Sequence, residues 1–110
     1  MTLQTQLVLR VLLSDPTQTV YGLQLCEATG LAAGTVYPIL TRLVNCGWVD
    51  SRWETPDEQA DAGRPRRKYY RLTGEGAREA GMALAEAHQQ SAAVRRWWEQ
   101  GLIEEGPANA

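Results

Sequence analysis

Apolar residues in this chain recur at helical spacing in four stretches and alternate in two. Over residues 1–14, Leu3, Leu7 and Val11, joined by Leu12 and Leu13, form a stripe wide enough to meet more than one neighbour. Asp15-Pro16 closes that helix, because a residue before proline avoids helical backbone geometry. Residues 17–20 are β-branched enough to predict a short strand. A second helix is predicted over 21–29, with Leu23, Cys26 and Leu25 inward and Gly30 placed for a left-handed stop.

A third helix is predicted from residue 32 or 33 to about Cys46, with Gly47 ending it. Val36, Leu40 and Leu43 face a core, while Thr35, Tyr37, Thr41 and Asn45 share the opposite face with Arg42 beside them. Hydroxyls, an amide and a phenol of that size suit a DNA groove. Pro38 constrains the start of the helix. With Thr35 as N-cap it falls in the first turn, where a missing N–H costs nothing. An earlier start sets Gly34 four residues before it and bends the helix. Two short helices across a tight glycine-containing turn match a helix-turn-helix.

Alternation then predicts two strands. One covers 48–54 with Val49, Ser51 and Trp53 on one face; the other covers 68–72 with Tyr70 and Leu72 opposite Tyr69 and Arg71. The 13 residues between them make a long hairpin loop, the kind that is functional or mobile. It runs from acidic (Asp57, Glu58, Asp61) to basic (Arg64, Arg66, Arg67, Lys68). Thr73 is a candidate N-cap, with Glu75 in the first turn, for one helix reaching about Gln100. Within it Ala80, Leu84, Ala87, Ser91, Val94 and Trp98 form a heptad seam of mostly small residues. A helix roughly 40 Å long outruns so small a body, and the seam favours packing on a second copy. Three units are expected: 1–72, whose first helix also enters the dimer interface, 73–103 for dimerisation, and a disordered tail over 104–110.

Composition narrows the function classes. At 110 residues and 44% hydrophobic content, one modest core is expected, with room for a partner chain to add stability. There is no membrane-length apolar run and no basic-then-apolar leader, so a cytoplasmic protein is expected. Cys26 and Cys46 lack C-x-x-C spacing and read as buried, reduced thiols. The sole histidine, His88, reads as a surface residue; no cluster has metal-ligand spacing and no serine has a paired base. No metal, cofactor or catalytic group is expected. Net charge is −2, yet Arg64, Arg66, Arg67, Lys68 and Arg71, five of eleven basic residues, lie in one segment. A local cluster outweighs the sum, because salt screens charge beyond about 10 Å.

The order helix, helix, helix, strand, basic loop, strand, long helix is that of an α+β winged helix-turn-helix. The pieces Tyr21-Gly22-Leu23-Gln24-Leu25, Gly34-Thr35-Val36-Tyr37-Pro38-Ile39-Leu40, Gly47-Trp48-Val49 and Gly63-Arg64-Pro65-Arg66-Arg67-Lys68-Tyr69-Tyr70-Arg71-Leu72-Thr73 resemble the PadR family of bacterial transcriptional regulators. The resemblance spans residues 21–76, and the single last helix is similar to the family's shorter branch. It departs from the family pattern at Leu23, where an aromatic is common, and at Thr41-Arg42, where a basic pair is common.

The resemblance implies a homodimeric repressor that binds inverted-repeat operator DNA and releases it when a small molecule binds. The expected DNA contacts are Thr35, Tyr37, Pro38, Thr41, Arg42, Arg64, Arg66, Arg67 and Lys68. The expected dimer interface takes Leu3, Leu7, Leu84, Ala87, Ser91, Val94 and Trp98. Trp97 and Trp98 either seal that dimer against the partner's first helix or offer a flat site to an apolar or aromatic effector. Two alternatives stay open: a winged-helix dimer working through protein contacts, favoured by the acidic pI of 5.4 and the lone Arg42, and a binder of apolar small molecules, suggested by the tryptophans.

Overall fold

Three helices and the inner face of a small sheet enclose the core. The structure is a computed structural model that describes residues 1–59 and 63–100. Asp61, residues 101–103 of the expected dimerisation segment, and the 104–110 tail lie outside the described residues. The elements are α1 (Leu3–Ser14), β1 (Val20–Tyr21), α2 (Gly22–Thr29), α3 (Ala33–Asn45), β2 (Val49–Trp53), α4 (Pro56–Gln59), β3 (Lys68–Leu72) and α5 (Gly74–Glu99). Val8, Leu9 and Leu12 of α1 meet Leu25 of α2, and Val36, Ile39, Leu40 and Leu43 of α3. Val49, Tyr70 and Leu72 close the core from the sheet, and Ala80 reaches it from α5. No helix among the described residues is long and apolar enough to cross a membrane.

The sheet runs β1-β3-β2, antiparallel throughout. Val49 pairs with Leu72 and Trp53 with Lys68, so β2 and β3 form the wing. Val20 and Tyr21 add a two-residue edge against Tyr70 and Tyr69. The strand expected over 17–20 is therefore displaced. Asp15 takes hydrogen bonds from the Thr17 N–H (3.3 Å) and hydroxyl (2.8 Å), folding that segment into a turn and leaving only Val20 extended.

Several other expectations shift in position. Leu23 lies on the exposed side of α2, while Leu25 is buried in the core and Cys26 packs against it. Cys26 is half-buried and Cys46, at the C-cap of α3, is exposed, so neither is the buried thiol expected. Helix α3 is capped at Ala32 rather than Thr35, because Thr35 and Val36 both donate to the Ala32 carbonyl. Alanine at 32 and 33 favours helix from the first available turn. Pro38 consequently sits inside the helix, and the carbonyl left without its N–H belongs to Gly34, which is exposed and open to water.

Helix α5 is fixed at its first turn. Thr73 caps it by accepting from the Gly76 N–H at 2.8 Å. The Thr73 hydroxyl also donates to the Gly47 carbonyl at 2.9 Å, and its N–H to the Trp48 carbonyl at 2.9 Å. Gly76 packs directly on the Trp48 backbone, and a Cβ there would overlap it, coming within 2.6 Å of the Trp48 carbonyl carbon. Beyond Gly76 and Ala80 no residue of α5 is fully buried, and the molecule measures 69 × 27 × 21 Å. We expect Gly76→Ala to destabilise the fold by about 3 kcal/mol, since backbone, not a flexible side-chain tip, blocks the added methyl. Gly34→Ala, where the methyl meets open space, should instead add about 0.5 kcal/mol. Urea denaturation of the two variants checks the contrast.

Candidate nucleic-acid interface

The outer surface of α3 carries Tyr37, Pro38, Thr41 and Arg42, all exposed. Thr35, on the first turn, is half-buried. Thr41 donates its hydroxyl to the Tyr37 carbonyl at 3.0 Å, which leaves the oxygen lone pairs facing outward as acceptors. Tyr37 is 40% exposed, and its ring lies across Gly22, the first residue of α2, so closely that any Cβ at Gly22 would overlap the phenol. That phenol is thus both a surface group and the spacer between the two helices of the motif. Asn45 closes the helix, exposed, one turn beyond Thr41.

The wing is organised by a residue that composition did not single out. Glu54 follows β2 and is 1% exposed, the one charged residue buried among those described. Its carboxylate receives both terminal nitrogens of Arg64, at 2.8 and 2.9 Å, the Arg67 backbone N–H at 3.3 Å and the Tyr69 hydroxyl at 3.2 Å. Its own carbonyl accepts from Arg66 Nε and Nη2 at 3.2 and 3.1 Å. Every carboxylate oxygen is therefore satisfied, which a buried charge requires. The paired Arg64 guanidinium holds the Glu54 carboxyl down to about 2 against the opposing effect of burial, with the Arg67 N–H and Tyr69 hydroxyl assisting.

The acidic half of the loop is also ordered by pairing. Thr55 and Glu58 form a reciprocal capping box: Glu58 N–H donates to the Thr55 hydroxyl (3.2 Å) and Thr55 N–H to the Glu58 carboxylate (2.9 Å). Pro56 takes the first position of α4, where its missing N–H is no loss. Arg52 clamps Glu58 through both terminal nitrogens, at 3.0 and 3.3 Å. That hydrogen-bonded pairing comes first, and the Thr55 N–H second, in lowering the Glu58 carboxyl to about 2.

The basic segment divides accordingly. Arg64, one of the residues expected to touch DNA, has its charge paired with Glu54. Arg66 is exposed but tethered to the Glu54 carbonyl. Arg67 lies over the Tyr21 ring at 4.0 Å and Lys68 over the Trp53 indole at 5.6 Å, so aromatic faces hold both cations in place. One groove of about 580 Å³ joins these groups to the helix-turn-helix, its lining including Tyr37 of α3 and Arg64, Arg66, Arg67 and Lys68 of the wing.

The last helix carries the remaining predicted residues. Leu84 and Ala87 are half-buried, Leu84 against its own core, whereas Ser91, Val94 and Trp98 are exposed. Leu3 (74% exposed) and Leu7 (38%) of α1 are also exposed. Met1 and Gln6 line a cleft with Ala87, Ser91 and Val94. Trp97 and Trp98 meet edge to face, their ring centroids 5.5 Å apart, and both are about half exposed. His88 is exposed, as expected.

The sequence reading gave no role to Glu54 as anchor of the loop, to Trp53 as an aromatic seat for Lys68, or to the Thr55–Glu58 box. Only the box had a local signature, threonine and glutamate three apart with proline next to the threonine. Glu54 is matched to Arg64 across the loop, a pairing that alternation along one strand does not reveal.

Three helices, a β-hairpin wing and a helix-turn-helix whose second helix faces outward define a winged helix-turn-helix protein. Comparison with known proteins then fixes the family: the chain matches the transcriptional regulator PadR-like family over residues 8–82, and it belongs to that family. It is similar to a PadR family transcriptional regulator from Eggerthella lenta DSM 2243 at 31% identity, covering 86% of this chain and 82% of that one, with a TM-score of 0.69. A PadR family transcription regulator from Clostridium difficile R20291 shares the fold at 22% identity, covering 88% and 99% of the two chains, with a TM-score of 0.70. A transcriptional regulator from Clostridium thermocellum does so at 20% identity, covering 86% and 88%, with a TM-score of 0.67. Among proteins of curated function, none matches the sequence.

The Glu54 cluster has a pH signature. A carboxyl lowered from its ordinary 4.5 to about 2 contributes stability that is complete above pH 4.5 and is lost as pH falls toward 2. Glu54→Gln should therefore be less stable than the parent at pH 7, and the two should converge below pH 4.5. Parallel stability curves down to pH 2 would detach the carboxylate from folding.

Proposed function

We propose that this protein is a homodimeric, operator-binding repressor of transcription that is released by a small effector. The observation that carries the reading is the groove lined both by Tyr37 of α3 and by the cations of the wing. A recognition helix and a basic wing that open onto one groove can engage adjacent stretches of one duplex. Thr41 and Arg42 extend the α3 surface and offer a hydroxyl acceptor and a guanidinium to base edges or phosphate. Arg66, Arg67 and Lys68 supply phosphate or minor-groove contacts, a narrow minor groove favouring arginine. Arg64 acts one step back, shaping the loop through Glu54.

Dimerisation is supported by the surface that α1 and α5 leave open. Leu3 of α1 and Met82, Val94, Trp97 and Trp98 of α5 are all about half exposed or more, and α5 is a helix of 26 residues that its own body barely covers. A second copy packed along α5 buries them and sets the distance between two α3 helices. For an inverted repeat that distance must match one turn of DNA, about 34 Å. The edge-to-face Trp97–Trp98 pair supports an effector site for a flat apolar or aromatic molecule beside this interface. An effector that prefers one helix arrangement over the other shifts the α3 spacing and weakens operator binding.

Titration against the DNA upstream of the protein's own reading frame, at two salt concentrations, tests the central reading. Specific binding should weaken steeply with salt, and Arg42→Ala and Lys68→Ala should each reduce the logarithmic slope by about 1. Arg64→Ala should lower affinity while changing that slope less, since its charge is already paired. Binding that ignores salt, or shows no preference over unrelated DNA, would overturn the assignment. In sedimentation, Val94→Glu and Trp98→Glu should convert a dimer to monomers, whereas the exposed His88→Glu should not.

A further inference from the structure

The groove between the wing and the helix-turn-helix has a chemistry that a duplex surface does not require. Its walls carry aromatic rings from three separate elements: Tyr21 at the head of α2, Tyr37 on α3 and Trp53 at the end of β2. Trp53 is 56% exposed and Tyr37 is 40% exposed, so each presents a ring face or edge to an occupant. The same groove is lined by Arg66, Arg67 and Lys68, with Arg67 over the Tyr21 ring and Arg66 and Lys68 at 6.0 and 5.6 Å from the Trp53 ring centre. Among the described residues no carboxylate lines the groove; the nearby Glu54 is buried beneath it with both oxygens engaged. Phosphate contacts along a double helix need the cations alone. Bases in a duplex are stacked on one another, so their faces are not available to Trp53 or Tyr37.

Rings that can stack, beside cations left over for an anion, suit a planar ring that carries phosphate. Proteins that hold unpaired nucleic acid use the same combination of a cationic groove and aromatic platforms. A volume of about 580 Å³ is ample for one such unit and falls within the size of small-molecule sites. We infer that this groove is a binding site for a single nucleotide unit, with the base stacked on Trp53 or Tyr37 and the phosphate held by Arg67 and Lys68. The unit comes either from a free mononucleotide or from an unpaired nucleotide in a strand. The site is distinct from the Trp97–Trp98 surface, and its existence does not depend on operator recognition.

The test uses no duplex DNA, so its failure leaves the regulatory reading standing, and the reverse also holds. The full chain, labelled with ¹⁵N, is titrated with AMP, with adenosine and with a five-residue oligothymidylate while the four tryptophan indole N–H signals are followed. The Trp53 signal is assigned by its loss in Trp53→Phe. Saturable movement of the Trp53 signal, with Trp97 and Trp98 still, is expected for the nucleotide. Adenosine, lacking phosphate, should bind about ten-fold more weakly, as should AMP to an Arg67→Gln/Lys68→Gln variant. Saturation by AMP assigns the site to free nucleotides; saturation by the oligonucleotide alone assigns it to unpaired strands. A Trp53 signal unmoved by both probes at low salt overturns the inference. So does equal affinity for AMP and adenosine, which would make the groove a general apolar surface.

Discussion

The seating of α5 on the backbone of Trp48 governs the geometry of the whole molecule. At that point the end of α3, the start of β2, the end of β3 and the first turn of α5 meet within a few residues. Thr73 joins them by capping its own helix and donating to the carbonyls of Gly47 and Trp48, while Gly76 allows the two backbones to touch. Hydrogen bonds fix the angle of the joint and the missing side chain fixes its distance. The direction of the long helix relative to α3 is thereby set inside the fold, before any partner arrives. A dimer built along α5 inherits that direction in both copies.

The wing follows a different logic. A run of arginines and lysine would repel itself if left alone, and a flexible loop would place its charges anywhere. Here a buried glutamate draws Arg64 and Arg66 onto the loop base, and aromatic rings hold Arg67 and Lys68 from the side. One positive charge is used to shape the segment that displays the others. The Arg52–Glu58 clamp and the capping box of α4 do the same for the acidic half, so the sign change along the loop is a structural device. Ordering in advance lowers the conformational entropy lost on binding.

Much of this architecture was legible in the residues. Alternation at 68–72 and the Thr73 cap each depend on near neighbours in sequence, and each lies where the pattern put it. The third helix begins where its pattern put it, and of the two readings of Pro38 the earlier start holds, because Ala32-Ala33 favours helix before a threonine cap at 35 does. The heptad seam was read as one surface, yet it divides: Ala80 and Leu84 pack on their own domain, and only the later positions remain open. Periodicity reports which residues share a face and is silent on which neighbour covers each turn of it. The role of Glu54 was illegible for a related reason, since its partner lies ten residues away across a loop and alternation along one strand does not report such a pair.

Tyr37 and Gly22 illustrate what such contacts do to the freedom of a sequence. The phenol fills the space that a side chain at position 22 would need, so neither residue has an independent range of substitutes. Exchanging the glycine for alanine is acceptable only after the tyrosine has become smaller, and a smaller residue at 37 leaves a gap that glycine cannot fill. Any route to a new specificity through position 37 therefore passes through a paired change on the neighbouring helix. The position best placed to alter what is read is also among the slowest to change.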